Sequence, residues 1–184
     1  MPKPFEAPHS VRHRPTFSDT LFLGFLALVL VAVAGVGRMA YVEGLKNEVS
    51  KKNALTWATW LEKAGTERFK DDFEFSGCAG GEAATGQTWA DCLPELIGLA
   101  GPLADMHNPF TQQPLVFAAK CDPTNKSLAG ALVIEKLVPT APGSAVSFYP
   151  SPLADRDVID QKMQLRVTAC DQGAYPSQAT EVAF

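Results

Sequence analysis

The pattern of apolar and polar residues divides the chain into an apolar segment, an amphipathic segment and a mixed second half. Residues 20–37 are eighteen consecutive positions without a charge, bounded by Asp19 and Arg38. At about 1.5 Å per residue, a helix of this length measures roughly 27 Å, which is close to the hydrocarbon thickness of a bilayer. We therefore predict a membrane-spanning helix over residues 20–38. Residues 1–19 would form a cytoplasmic tail or leader, with Ser18 or Asp19 as the helix N-cap.

The pattern of apolar residues over 39–70 predicts that the same helix continues, with apolar side chains on one face only. The apolar residues recur at steps of three and four, which is the spacing of an amphipathic helix: Val42, Leu45, Val49, Ala54, Trp57, Ala58, Leu61 and Ala64. The other face is predicted to hold the polar residues Glu43, Lys46, Asn47, Lys51, Lys52 and Glu62. Trp57, Trp60 and Leu61 are expected to pack against the soluble domain. A ligand-stacking role for the two tryptophans is the alternative.

Residues 71–184 predict a small domain built on an antiparallel sheet. The fourteen prolines and fourteen glycines fall mostly after Gly77, as is typical of loops and short strands. The expected elements are a short helix at 93–100 with Pro94 in its first turn, and strands at 115–120, 129–138, 145–149 and 163–169. No long helix separates the strands to make a parallel crossover. The predicted fold is therefore α+β, with the long helix packed on three or four antiparallel strands.

Four cysteines follow the apolar segment, and an even number in an exported domain indicates two disulfides. Cys78 and Cys92 are close enough to close a local loop, while Cys121 and Cys170 each end a strand candidate. Of the three possible connectivities we favour Cys78–Cys92 with Cys121–Cys170. Free thiols in a cytosolic domain are the alternative.

The basic residues do not decide the orientation of the membrane helix, because similar numbers precede and follow it. They are Lys3, Arg12 and Arg14 before the helix, and Arg38, Lys46, Lys51 and Lys52 after it. The cysteines favour a bacterial inner-membrane protein with its C-terminal domain in the periplasm or beyond. The alternative is a cleavable signal peptide, with residues 21–31 as its apolar region and residues 32–34 as an Ala-x-Ala cleavage site.

The sequence offers little for catalysis or cofactor binding. His107 is the only histidine outside the tail, and the common nucleophile, zinc and nucleotide motifs are absent. Two acidic groups could offer oxygen ligands to Ca²⁺, although neither has EF-hand spacing and solvated loops are the simpler interpretation: Asp155, Asp157 and Asp160, and Asp71, Asp72 and Glu74. The net charge of −4 provides no basic surface for nucleic acid. We expect no enzyme activity, catalytic residue, cofactor, metal or nucleic-acid partner.

Four features follow one another along the chain: a basic tail, a long helix over residues 20–69, a cysteine-bounded loop at 78–92, and strands at 115–169. This organisation resembles the type IV pilins and the pseudopilins of type II secretion. Asn108-Pro109-Phe110-Thr111 is also similar to the Asn/Asp-Pro-aromatic turn that precedes the sheet in this group. The prepilin signature of Gly followed by Phe-Thr-Leu-x-Glu is missing, and Asp19 is the only acid near the start of the helix.

The resemblance implies a structural, pilin-like subunit of a cell-surface filament or secretion pseudopilus. Its apolar helix would contact membrane lipid, copies of itself, or other pilin-like and membrane subunits, with glycines that allow close approach. The residues expected to carry assembly are Leu21, Phe22, Gly24, Phe25, Leu28, Val31 and Gly35. The missing signature favours the alternative, a single-pass periplasmic accessory subunit that stays in the membrane within a larger complex. A secreted enzyme or binding protein with its signal removed is a third possibility.

Overall fold

The structure is a computed structural model that describes residues 17–140 and 147–184. Most of the predicted tail or leader, residues 1–16, lies outside the described residues. The chain divides into two units, Met1–Val42 and Glu43–Phe184. In the first unit the described residues are all helical.

Helix α1 runs from Phe17 to Glu67 without a break, which confirms the prediction of one long helix. The predicted N-cap at Ser18 or Asp19 is wrong, because both residues lie inside the first turn. Polar residues are tolerated there, since the first four N–H groups of a helix have no acceptor within the helix. At the other end, residues 68–70 form a turn rather than the last residues of the helix.

Four strands form one antiparallel sheet: β1 (Leu132–Pro139), β2 (Phe148–Pro152), β3 (Gln164–Ala169) and β4 (Thr180–Ala183). Their order across the sheet is β2-β1-β3-β4, and all three neighbouring pairs are antiparallel. The α+β prediction with a small antiparallel sheet is therefore confirmed. Strands β1 and β3 match the candidates at 129–138 and 163–169. The candidate at 145–149 overlaps β2, although residues 145 and 146 lie outside the described residues.

The strand predicted at 115–120 is wrong. Only Phe117 forms a bridge, parallel to Leu132, and the chain bends at residues 119 and 120 toward Cys121. Two hydrogen bonds hold it there: the Ala118 N–H donates to the Leu132 carbonyl at 2.8 Å, and the Leu132 N–H donates to the Val116 carbonyl at 2.9 Å. The segment has the apolar composition of a strand, but the bend at residues 119 and 120 limits the pairing to one residue.

Helix α2 spans Trp89–Ile97 and begins earlier than the predicted 93–100. Its start is set by Thr88, whose backbone N–H and hydroxyl both donate to the Asp91 carboxylate, at 2.9 and 2.7 Å. Pro94 lies in the second turn instead of the first, where its missing N–H removes one helical hydrogen bond. The helix ends before Gly98, whose N–H donates to the Pro94 carbonyl at 2.9 Å.

One apolar core joins the second half of α1, helix α2 and one face of the sheet. Its buried members include Ala54, Trp57, Ala58, Leu61 and Ala64 of α1, Trp89 and Leu96 of α2, and Leu132, Ile134, Leu165, Val167, Ala169 and Val182 of the sheet. The opposite face of the sheet carries the pair Glu135 and Arg166, which are register partners with a 2.8 Å salt bridge. The side chains of β3 alternate between the two faces, with Leu165 and Val167 facing the core and Arg166 facing away.

Candidate functional site

The apolar side chains of the first unit are exposed along the described helix. The large residues expected to carry assembly are 61% to 73% exposed: Leu21, Phe22, Phe25, Leu28 and Val31. At Gly24 and Gly35, apart from the adjoining residues and the backbone of the same helix turn, no atom lies within 4 Å of the position a Cβ would take. A water-soluble protein rarely exposes large contiguous apolar surface. This segment is therefore suited to a cover of lipid or of other protein.

Within the described residues, α1 is the one helix long and apolar enough to cross a membrane, with a mean hydropathy of 2.5 over its most apolar window. None of the residues in that most apolar stretch is buried. A cleavable signal sequence near an N-terminus passes the same test of length and composition, and it stays the alternative interpretation of this segment.

Polar side chains on α1 hold the loop that follows β3. The Asn47 Oδ1 accepts the Gln172 N–H at 2.9 Å, and the Ser50 hydroxyl donates to the Cys170 carbonyl at 3.2 Å. The placement of Asn47 on the polar outer face is therefore wrong. Its three-residue spacing from Ser50 puts both side chains on one side of the helix, and this spacing was the available signal.

Asn53 extends this row by another three residues and contacts the residue that precedes the turn at 108–111. Its Nδ2 donates to the His107 carbonyl at 3.0 Å. The next residue, Asn108, is almost completely buried and accepts the Phe110 N–H on its Oδ1 at 2.8 Å. The side chain of Asn108 thus closes the turn that resembles the pilin turn, and Asn53 ties that turn to α1.

Asn108 also joins the turn to the start of β1. Its Nδ2 donates to the Ala129 carbonyl at 2.7 Å. The following Gly130 has φ +74°, and a Cβ there would lie 2.5 Å from the Asn108 Oδ1. Glycine is required at this position for both its backbone conformation and its lack of a side chain.

The residues predicted to pack between helix and sheet differ in burial. Trp57 and Leu61 are completely buried, and the Trp57 ring meets Phe117 edge-on with centroids 5.0 Å apart. Trp57 therefore has no surface on which a ligand could stack. Trp60 is only partly buried, and its ring meets Phe75 at 5.6 Å.

Both disulfides favoured from the sequence are present. Cys78 is joined to Cys92, and Cys121 is joined to Cys170. The first ties a short 3₁₀ turn at Ser76–Cys78 to α2, and the second ties the bend after residue 120 to the end of β3. All four cysteines are described and none is free, so no thiol is available as a nucleophile.

Arg68 is completely buried beside the end of α1. Its guanidinium lies 4.0 Å from the ring centroid of Phe184 and 5.1 Å from that of Phe69. Nη2 donates to the Gln161 carbonyl at 3.4 Å, whereas Nε and Nη1 have no partner among the described residues. Burial lowers the pKa of Arg68 to about 10, against the opposite effect of the nearby Asp160 charge. The side chain is still cationic at neutral pH, and nothing in the sequence pattern marks it as buried.

The acidic group at 155–160 is part of the fold. Asp157 accepts the Lys136 ammonium at 2.6 Å on Oδ1 and the Ala154 N–H at 2.8 Å on Oδ2. Burial raises the pKa of Asp157, but the hydrogen bonds from Lys136 and Ala154 and the nearby cations outweigh burial, so the pKa lies below its usual value. Its carbonyl also accepts the Trp89 N–H at the start of α2. Across residues 17–140 and 147–184, no three His, Cys, Asp or Glu side chains are grouped to hold a metal ion.

Comparisons with protein-family models, curated proteins and solved structures returned no match for this chain.

Proposed function

We propose that the protein is a structural, pilin-like subunit that assembles through its apolar N-terminal helix into a cell-surface filament or a secretion pseudopilus. The observation that carries this proposal is the difference in exposure between the two parts of α1. Residues 20–37 are uncharged and exposed, whereas residues 54–64 of the same helix belong to the core of a disulfide-linked domain. A helix of this kind has an apolar segment available for partners and a second segment committed to its own domain.

Physical chemistry supplies the driving force for assembly. Covering a large apolar side chain such as Phe25 or Leu28 removes about 1.5–3 kcal/mol of unfavourable exposure to water. Lipid provides this cover in a membrane, and neighbouring helices provide it in a filament. Gly24 and Gly35 leave the helix backbone open, which favours close helix contact.

The proposal places the chain in a bacterial inner membrane with the C-terminal domain in the periplasm, and later in a filament. The two disulfides support an oxidising compartment. The proposed partners are lipid and other copies of the helix or related membrane subunits, with no catalytic role and no nucleic acid.

The second candidate is a single-pass accessory subunit that stays in the membrane. The missing prepilin signature favours it, because the position before Phe17 holds Thr16 rather than Gly, and Asp19 is the only acid near the helix start. In this case the helix remains in lipid and the periplasmic domain binds the partner complex.

The intact mass of the native protein, before and after reduction, separates these candidates. A chain that begins near Thr16 or Phe17 and gains about four mass units on reduction supports the pilin-like subunit, because opening two disulfides adds four hydrogens. A chain that begins near Gly35 shows a cleaved signal peptide and overturns the filament proposal. An uncleaved chain supports the accessory subunit.

A matched pair of leucine variants tests the role of the helix itself. Leu28→Lys places a charge in the apolar segment. A charge near the centre of a bilayer costs about 3 kcal/mol, so this variant should abolish filaments and weaken membrane retention. Leu55→Lys changes a similarly exposed leucine in the second half of α1 and should leave both unchanged. Normal filaments from Leu28→Lys would contradict the proposal.

A further inference from the structure

Strand β2 is the outermost strand at one side of the sheet, and it carries two prolines. It pairs with β1 on one side, and no strand or bridge among the described residues pairs with its other side. A free strand edge of this kind is a template on which another chain can add a strand. Phe148 and Tyr149, residue types that favour strands, are each 49% exposed on β2. The edge therefore has aromatic residues that promote association between sheets.

The hydrogen bonds between β1 and β2 show which residues of β2 turn their backbone outward. The Thr140 N–H donates to the Ser147 carbonyl, and the Leu153 N–H donates to the Ile134 carbonyl, each at 2.9 Å. Both pairs continue the register of β1 and β2, in which hydrogen-bonded pairs alternate with non-bonded pairs. The odd-numbered residues of β2 are therefore the ones bonded to β1.

The even-numbered residues of β2, which are Phe148, Pro150 and Pro152, direct their backbone groups away from β1. Proline has no N–H, so two of the three donors on this edge are missing while the three carbonyls remain. A strand added here would leave its own carbonyls opposite the prolines without a donor, and the proline rings would obstruct its approach. Both prolines thus lie where they hinder a new pairing without removing a hydrogen bond to β1.

The opposite side of the sheet is protected in another way. The Phe184 N–H donates to the Met163 carbonyl at 2.8 Å, so the neighbouring Ala183 directs its backbone outward from β4. The Ala183 carbonyl meets α1 at Gly65, where a Cβ would lie 2.2 Å from the oxygen. Glu181, the other outward residue of β4, is exposed and charged. A helix and a carboxylate therefore protect this edge, whereas β2 depends on its prolines.

We propose that Pro150 and Pro152 close the β2 edge to strand pairing, so that copies of this chain do not join through their sheets. This role of the prolines goes beyond the proposed function, because it concerns the sheet and holds whether or not the chain assembles through α1. In an assembled form, it leaves the contacts between copies to surfaces other than the sheet edges.

Replacing both prolines by threonine in the full-length protein in detergent tests this role. Threonine restores the two N–H groups and suits an extended strand. Pro150→Thr/Pro152→Thr should raise the fraction of protein in larger, thioflavin-binding species by roughly tenfold over the wild type, measured by size-exclusion chromatography with light scattering. Ser151→Thr is the matched control and should leave that fraction unchanged, because the backbone groups of Ser151 already face β1.

Two further sets of variants separate the sheet edge from other causes of association. The double replacement should act equally in a Leu28→Lys background, because Leu28 and β2 belong to different units of the chain. Each single proline replacement should give a smaller increase than the double one. The single variants carry the test if the double variant does not form both disulfides.

A double variant that stays in the same state as the wild type overturns this role, because the prolines are then only tolerated at a free edge. Equal association of Ser151→Thr also overturns it, because strand propensity is then the cause. Loss of the effect in the Leu28→Lys background overturns it as well, since the association then runs through the helix. A wild type that never assembles overturns the proposed function and leaves the role of the prolines standing.

Discussion

Replacing Gly65 by alanine probes the closest approach between α1 and the end of the sheet. A Cβ at Gly65 would lie 2.2 Å from the Ala183 carbonyl oxygen and 2.7 Å from the Phe184 Cα. These are backbone atoms, and Phe184 is held by its N–H donating to the Met163 carbonyl at 2.8 Å. The end of the sheet therefore has no flexible side chain that could give way.

Two opposing effects set the magnitude. Alanine is better than glycine inside a helix by about 1 kcal/mol. The 2.2 Å contact is about 1 Å shorter than an ordinary carbon–oxygen contact, and relieving such overpacking costs about 1–3 kcal/mol. Moving the chain also disturbs the buried Phe184 ring against Arg68. With the disturbance of Phe184 added to this balance, we expect Gly65→Ala to lower the free energy of unfolding by about 1–2 kcal/mol.

Gly44→Ala is the matched control, because Gly44 lies in the same helix and nothing beyond the adjoining residues and the backbone of its own helix turn comes within 4 Å of the Cβ position. It should be neutral or stabilising by up to about 1 kcal/mol. Urea unfolding of the full-length protein in detergent, followed by tryptophan fluorescence, measures both variants. A Gly65→Ala protein as stable as the wild type, with the same slope against urea, would refute the argument from close contact.

Three further perturbations follow from the domain. Asn108→Ala should lower the unfolding free energy by about 2–4 kcal/mol in the same urea assay, because it leaves buried backbone groups unpaired. Removing the Cys121–Cys170 bond by a double alanine substitution should remove about 4 kcal/mol, given the 49-residue separation, and lower the midpoint of thermal melting. Asp157→Asn should flatten the acid side of the stability profile. The folded pKa of Asp157 is lowered, so its stabilisation is present above the usual carboxyl pKa of about 4 and is lost as pH falls through the folded value.

Several features of this protein follow from local pattern alone. The uncharged run at 20–37 predicts a helix suited to lipid, because every side chain along it is apolar or small. The spacing of the apolar residues from Ala54 to Ala64 predicts the buried face of α1, and the alternation at 163–169 predicts the buried face of β3. These properties depend only on which side chains lie next to one another along a helix or strand.

Element boundaries depended on contacts between distant residues. Residues 115–120 have the composition of a strand but pair at one position, because the bend toward Cys121 removes them from the edge of β1. Strand β4 has only four residues and is added by pairing with β3. Helix α2 starts at Trp89 because the side chain of Asp91 caps it.

The polar and close contacts of the domain were decided by tertiary structure alone. Asn47 appears in the sequence as one more polar residue of an amphipathic helix, and Arg68 as an ordinary surface cation. The structure gives Asn47 a backbone N–H to bind and places Arg68 between two aromatic rings. Gly65 is required by a carbonyl 118 residues further along the chain. Hydrophobic periodicity is a property of neighbours in sequence, whereas a hydrogen-bond partner or a steric limit is a property of neighbours in space.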